Sequence, residues 1–117
     1  MRIEVKGRNL TVDDELRKRV EKRFAKVARQ VSSLAVLEVE LREERNPSIN
    51  DSQVAEGTLH LKGVTLRARE RSDSMTHAIN DMSADLARQV KRHREKRRKR
   101  RQSRSAKAAE NARPAAP

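Results

Sequence analysis

At 117 residues the chain is long enough for one domain, and with 34% hydrophobic residues and a single aromatic, Phe24, that domain must rest on a small aliphatic core. No apolar run is long enough to cross a bilayer, Met1-Arg2-Ile3-Glu4-Val5 lacks a signal-peptide h-region, and no cysteine exists to build a disulfide, a thiolate metal site or a Cys nucleophile, so a cytoplasmic protein is expected. The net charge of +12 is concentrated: residues 1–87 hold 16 Lys/Arg against 15 Asp/Glu, 88–104 hold 11 against one, and 105–117 hold two against one. A block that dense repels itself in free solution and suits an arm that meets a polyanion.

The first element predicted is a strand, Arg2 to Gly7, in which Ile3 and Val5 alternate with Arg2, Glu4 and Lys6 as on a sheet covered on one side. Thr11 or Asp13 can cap the helix that follows, and Asp13, Asp14 and Glu15 favour the positive end of its dipole. Leu16, Val20, Phe24, Val27 and Val31 form its apolar stripe, opposite Lys18, Lys22 and Arg29, and Ser32-Ser33 ends it. A second strand has Ala35, Leu37, Val39 and Leu41 inward and Glu38, Glu40 and Arg42 outward.

Residues 44–51, with an Asn46-Pro47 step and no period, read as a loop. A third strand spans Gln53 to Leu61 with Leu59 and Leu61 inward, and Gly57 within it suggests a bulge. Lys62-Gly63 predicts a tight turn into a fourth strand, Val64 to about Arg71, with Leu66 and Ala68 inward and Thr65, Arg67 and Arg69 outward. A second helix starts near Ser72-Asp73-Ser74, with the stripe Met75, Ile79, Met82, Leu86 and Val90. His93 and Arg97 occupy the next stripe positions, so the helix is expected to leave the core at about Val90 and to fray beyond about Lys96. From Ser103 the Ser/Ala/Pro composition predicts a disordered tail or linker.

The order β-α-β-β-β-α implies an α+β fold, a two-layer sandwich with a four-stranded sheet and both helices on one face. Residues 1–97 form the expected domain and 98–117 a basic, then Ala/Pro-rich, tail. The bare sheet face would carry Arg2, Glu4, Lys6, Glu38, Glu40, Arg42, His60, Lys62, Arg67 and Arg69, whose alternating signs suit cross-strand ion pairs, with Arg67 and Arg69 as a subsidiary RNA contact.

Little in the chain suits catalysis. His60, His77 and His93 lack metal-ligand spacing, and the three glycines stand apart, so no phosphate-cradling loop occurs. Asp81 and Asp85 lie one turn apart, but with Arg88 they suit an exposed ion-pair ladder better than a cation site. No enzyme, cofactor or metal is expected. The basic block must work almost without aromatic stacking, through phosphates, 2′-hydroxyls and helix shape, which favours structured RNA over a base sequence. Its arginines suit bidentate phosphate contacts.

The second helix resembles that of the ribosome hibernation promoting factors and ribosome-associated inhibitors, also called sigma-54 modulation proteins. The resemblance rests on Asp73-Ser74-Met75-Thr76-His77-Ala78-Ile79-Asn80 and on Leu86-Ala87-Arg88-Gln89-Val90-Lys91-Arg92-His93-Arg94-Glu95-Lys96. Gly7 to Leu16 and Lys22-Arg23-Phe24-Ala25-Lys26 are similar to the family's first helix and its approach, and the element order matches its fold. The departures are Thr76-His77 where an aromatic-Ala pair is usual, Asn80 for Asp, and Ser83 to Asp85 in place of an aliphatic stretch; they bear on helix packing.

The resemblance implies a factor that lies in the channel of the small ribosomal subunit against 16S ribosomal RNA, excludes messenger and transfer RNA, and inhibits translation in idle cells. It implies RNA contacts at Arg23, Lys26, Arg88, Lys91, Arg92, Arg94 and Lys96. Some members add a C-terminal domain that pairs ribosomes, and the Ala/Pro-rich ending favours a chain cut from such a long form over a short form. The rival readings are a general structured-RNA or ribosome-assembly binder and a module that meets an acidic protein; a DNA-binding role lacks any helix-turn-helix signal.

Overall fold

The computed structural model describes residues 1–46 and 50–111, with side chains through Ala106; 47–49 of the expected loop and 112–117 of the expected Ala/Pro-rich tail lie outside the described residues. The chain forms β1 (Arg2–Arg8), α1 (Asp14–Gln30), β2 (Val36–Glu43), β3 (Gln53–Leu61), β4 (Val64–Ser72) and α2 (Met75–Asn111). β1 and β2 run parallel, joined through α1, and β2, β3 and β4 form an antiparallel meander, so sheet order equals chain order.

Local chemistry accounts for the boundaries. The Asp13 carboxylate accepts the Leu16 N–H at 2.8 Å and caps α1, whose first turn carries Asp14 and Glu15. Ser74, rather than Ser72 or Asp73, stands at the N-cap of α2, where its hydroxyl accepts from the His77 N–H at 3.5 Å. Leu61 pairs with Val64, leaving Lys62-Gly63 as a two-residue turn with Gly63 at φ +77°, a conformation that costs glycine nothing.

Both helices cover one sheet face. Val20, Phe24 and Val27 of α1 and Ile79, Met82, Leu86 and Val90 of α2 are buried against Leu37, Val39, Leu41, Ala55, Leu59 and Ala68 of the sheet. Full burial of such a side chain stabilises the fold by about 1.5–3 kcal/mol. The bulge expected at Gly57 is absent: Gly57 pairs in regular register with Val39 and Ala68. A Cβ there would lie 2.6 Å from the Met82 sulfur and 2.7 Å from Leu86 Cδ1, so this glycine lets α2 settle onto the sheet.

The largest departure from expectation is the length of α2. Where a disordered tail was expected from Ser103, it continues as helix through Asn111, 37 residues in all, about 55 Å at 1.5 Å per residue. The final turns extend past the body, giving extents of 78 × 28 × 18 Å and a radius of gyration of 19.6 Å, against about 13 Å for a compact chain of this length. Polar sequence without an apolar stripe argues against packing, not against helix, because Arg, Lys, Ala and Glu are good helix formers.

Candidate nucleic-acid interface

Helices α1 and α2 lie side by side and run in the same direction, so their facing flanks form one continuous cleft. On α1 that flank is Arg19, Arg23, Lys26 and Gln30, spaced i, i+4, i+7 and i+11, beside the buried stripe. On α2 it begins with the small residues Ser83, Ala84 and Ala87, which allow α1 to approach, and continues with Arg88, Lys91 and Arg94. The resulting cleft has a volume of 520 Å³, and Arg23, Lys26, Arg88, Lys91 and Arg94 all line it. It runs on along α2 past Arg97, Arg98 and Arg101, and at its opposite end meets Lys18, Arg19 and Lys22.

One contact fixes the cleft's geometry. The Arg23 guanidinium donates from Nε to the Ser83 hydroxyl at 3.0 Å and from Nη2 to the Asn80 carbonyl at 3.2 Å, while Ser83 donates to that carbonyl at 2.8 Å. Ser83 is 97% buried, yet its hydroxyl is fully engaged, so the departure from an aliphatic stretch here is compensated by a hydrogen-bonded brace between helices. Arg23 is therefore partly committed to holding the cleft open. Next to it the buried Oδ1 of Asn80 has no hydrogen-bond partner.

Five of the seven residues singled out in the sequence thus share one cleft, and two do not. Arg92 and Lys96 lie on the β4 side of α2, the side on which Gln89 donates to the Arg67 carbonyl at 2.7 Å. Both are exposed, but they point away from Lys26 and Lys91, because a residue one place along a helix is turned by about 100°. Arg19, Lys22, Arg98 and Arg101 belong to the cleft and its extensions but were not singled out. For Arg19 the missing signal was the spacing 19, 23, 26, 30, which marks the flank of an amphipathic helix rather than its exposed back.

The other surfaces behave differently. On the bare sheet face Arg42 pairs with Glu40, Glu44 and Glu56 at 3.5, 3.5 and 3.9 Å, Arg71 with Glu44 at 3.7 Å, and His60 with Glu38 at 3.3 Å. Between Arg42 and Arg71, its partners in register, Val54 is fully buried on that face. Among the described residues Arg67 and Arg69 join no ion pair. Of the expected Asp81/Asp85 ladder only Asp85–Arg88 forms, at 3.9 Å, and among the described residues no group of three or more His, Cys, Asp or Glu could hold a metal. No helix among the described residues is long and apolar enough to cross a membrane.

Comparison with known proteins agrees with this architecture. A family model described as sigma 54 modulation protein / S30EA ribosomal protein matches residues 3–98. The chain is 29% identical over 97 residues to a ribosome hibernation promotion factor of Picosynechococcus sp., and 33% identical over 98 residues to one of Staphylococcus aureus. Each match covers 82% of this chain and 50% of the relative, so the chain spans about half the length of these curated relatives. Among solved structures it is similar to the N-terminal domain of Protein Y from Thermus thermophilus, with 30% identity and a TM-score of 0.68 over 80% of this chain and 99% of that one. A ribosomal subunit interface protein from Coxiella burnetii shares the fold at 19% identity, with a TM-score of 0.66 over 80% of this chain and 98% of that one.

Proposed function

The chain belongs to the sigma 54 modulation protein / S30EA ribosomal protein family, and from that premise we propose that it is a ribosome hibernation factor of the cytoplasm that binds the small subunit against 16S ribosomal RNA. In this reading it occupies the decoding channel and denies it to messenger and transfer RNA. The observation that carries the proposal is the cleft between α1 and α2, where five cations from two helices converge and pass without a break onto a basic helix that reaches beyond the body. Such an array neutralises phosphates along a path rather than at a point. The ion-paired face of the sheet offers no comparable excess of charge.

Binding to empty small subunits should therefore be dominated by counterion release. With about five phosphates neutralised, the logarithm of the binding constant should fall against the logarithm of salt with a slope near −4. Prior addition of the protein should block binding of messenger and initiator transfer RNA and depress translation in an extract. Exchanging Lys26, Lys91 and Arg94 for Gln should lower the slope by about three and relieve the block, whereas exchanging Arg92 and Lys96 should do less, because that pair lies outside the cleft. Melting temperature should hold in both, since exposed changes shift stability by about 0.5 kcal/mol or less each. Tight ribosome binding with free entry of transfer RNA would reject the channel and leave a general structured-RNA binder.

A further inference from the structure

Lys96, Arg97, Arg98, Lys99, Arg100 and Arg101 form an unbroken run of cations, and all of them stand exposed on the part of α2 that leaves the body. Each residue of a helix is turned by about 100° from the one before it, so such a run passes fully round the axis and leaves no side without a charge. Arg98 and Arg101 continue the flank that lines the cleft. Lys99 and Arg100 project from the opposite flank, while Arg97 and Arg104 share the direction that Leu86 and Val90 take towards the sheet further back along the helix. We infer that this arm is gripped between two phosphate backbones, in a crevice of the bound RNA walled on opposite sides, rather than laid along one strand. The inference rests on the RNA-binding reading above and adds to it the shape of the site that the arm enters.

Three observations favour two walls over one. The packed part of α2 shows what a one-sided contact looks like: Arg88, Lys91 and Arg94 line the cleft, while the β4 side carries Asp81, Asp85 and Gln89 before its first cation, Arg92. Past Lys96 that asymmetry ends. Like charges three or four places apart also destabilise a helix, and Lys96 with Arg100, Arg97 with Arg100 and Arg101, and Arg98 with Arg101 are such pairs. A helix lying on one strand could carry Ala, Gln or Glu on its far side without losing a contact. Finally, no counter-charge within the chain serves these groups. Glu95 is the one acid between 88 and 104, and among the described residues no cation from Lys91 to Arg104 joins an ion pair.

Dimensions and composition narrow the partner. A helix with its side chains is about 10–12 Å across. The deep groove of an unbroken A-form duplex is too narrow to admit it. A duplex opened by a bulge, or the gap between two packed RNA helices, has the width and brings phosphates to both sides. An acidic protein fits less well, because from Lys91 to Ser105 the arm has no apolar side chain to anchor in a pocket. Phosphates need no such anchor.

The test compares opposite flanks of the arm, in the full chain bound to small ribosomal subunits. Exchanging Arg98 and Arg101 for Gln, or Lys99 and Arg100 for Gln, keeps good helix formers and touches no core residue, so melting temperature should hold in both variants. With one phosphate on each side, each pair should lower the slope of log binding constant against log salt by about one. The chain has no cysteine, so Ser103→Cys and Ser105→Cys can each carry a single iron chelate. These exposed positions are turned by about 200° from each other, and hydroxyl radicals generated at the two should cut different RNA segments. Cuts on the two strands of one helix would assign an opened duplex, and cuts in two helices the gap between them. A loss confined to the Arg98 and Arg101 pair, no loss with either pair, or cuts in one and the same segment from both chelates would overturn the crevice. A wild-type slope near zero would reject the RNA-binding reading itself, whereas a steep slope and an intact transfer-RNA block with only the cleft-side pair contributing would reject the crevice alone.

Discussion

From Met75 to Val90, α2 places Ile79, Met82, Leu86 and Val90 in the core; from Lys91 to Asn111 the same helix packs no described residue into it. The first half is held by tertiary contacts and directed by them, since its register against Gly57 and Arg23 sets where each side chain points. The second half is held by backbone hydrogen bonds alone and carries like charges that oppose compaction until a polyanion neutralises them. A helix can thus be one piece of secondary structure and two functional parts: a body that fixes position and direction, and an arm that supplies charge along that direction. The cleft lies where the two meet.

The widest difference should appear in amide exchange. Amides of the packed half should open only with the whole domain, at a cost of about 5–15 kcal/mol, while those beyond Arg98 open locally at almost none. In the free chain the arm should therefore exchange at least about a thousandfold faster than Leu86, and it should slow on the ribosome. Equal protection in both halves would show that the arm is supported by packing.

Core substitution should separate the halves by a smaller margin. Leu86→Ala removes a fully buried side chain and should cost about 2–5 kcal/mol in denaturant unfolding, whereas Arg100→Ala in the arm should change stability by no more than about 0.5 kcal/mol. Gly57→Ala sharpens the account of how α2 is seated. With Met82 and Leu86 within 2.7 Å of the new methyl, a loss of about 1–3 kcal/mol is expected, and a neutral result would mean that the helix can lift away freely.

A smaller loss than either core change belongs to the brace at the cleft. Arg23→Ala removes two hydrogen bonds at a partly exposed site, and a loss of about 1 kcal/mol in thermal or denaturant unfolding should follow. Its effect on RNA affinity should exceed that of Arg92→Ala, because Arg23 both lines the cleft and holds α2 in place, while Arg92 does neither.

Element order, strand and helix type, and the inward residues of β2 and α2 were legible from the residues, because period-2 and period-3.6 patterns report which face is buried without reference to any neighbour. The location of the charge block, and the point at which the stripe of α2 fails, were likewise written in the chain, so the membership of Arg88, Lys91 and Arg94 in a basic surface needed no fold. What tertiary structure decided was which cations share a surface. Arg92 lies next to Lys91 in sequence yet turns to the β4 side, while Lys26, 65 positions away, lines the same cleft as Lys91, because the placement of α1 beside α2 decides which flank of each helix faces the other. Gly57 is the same lesson on a smaller scale. A lone glycine in a strand is equally compatible with a bulge or a close approach, and only the position of Met82 and Leu86 above it resolves the two.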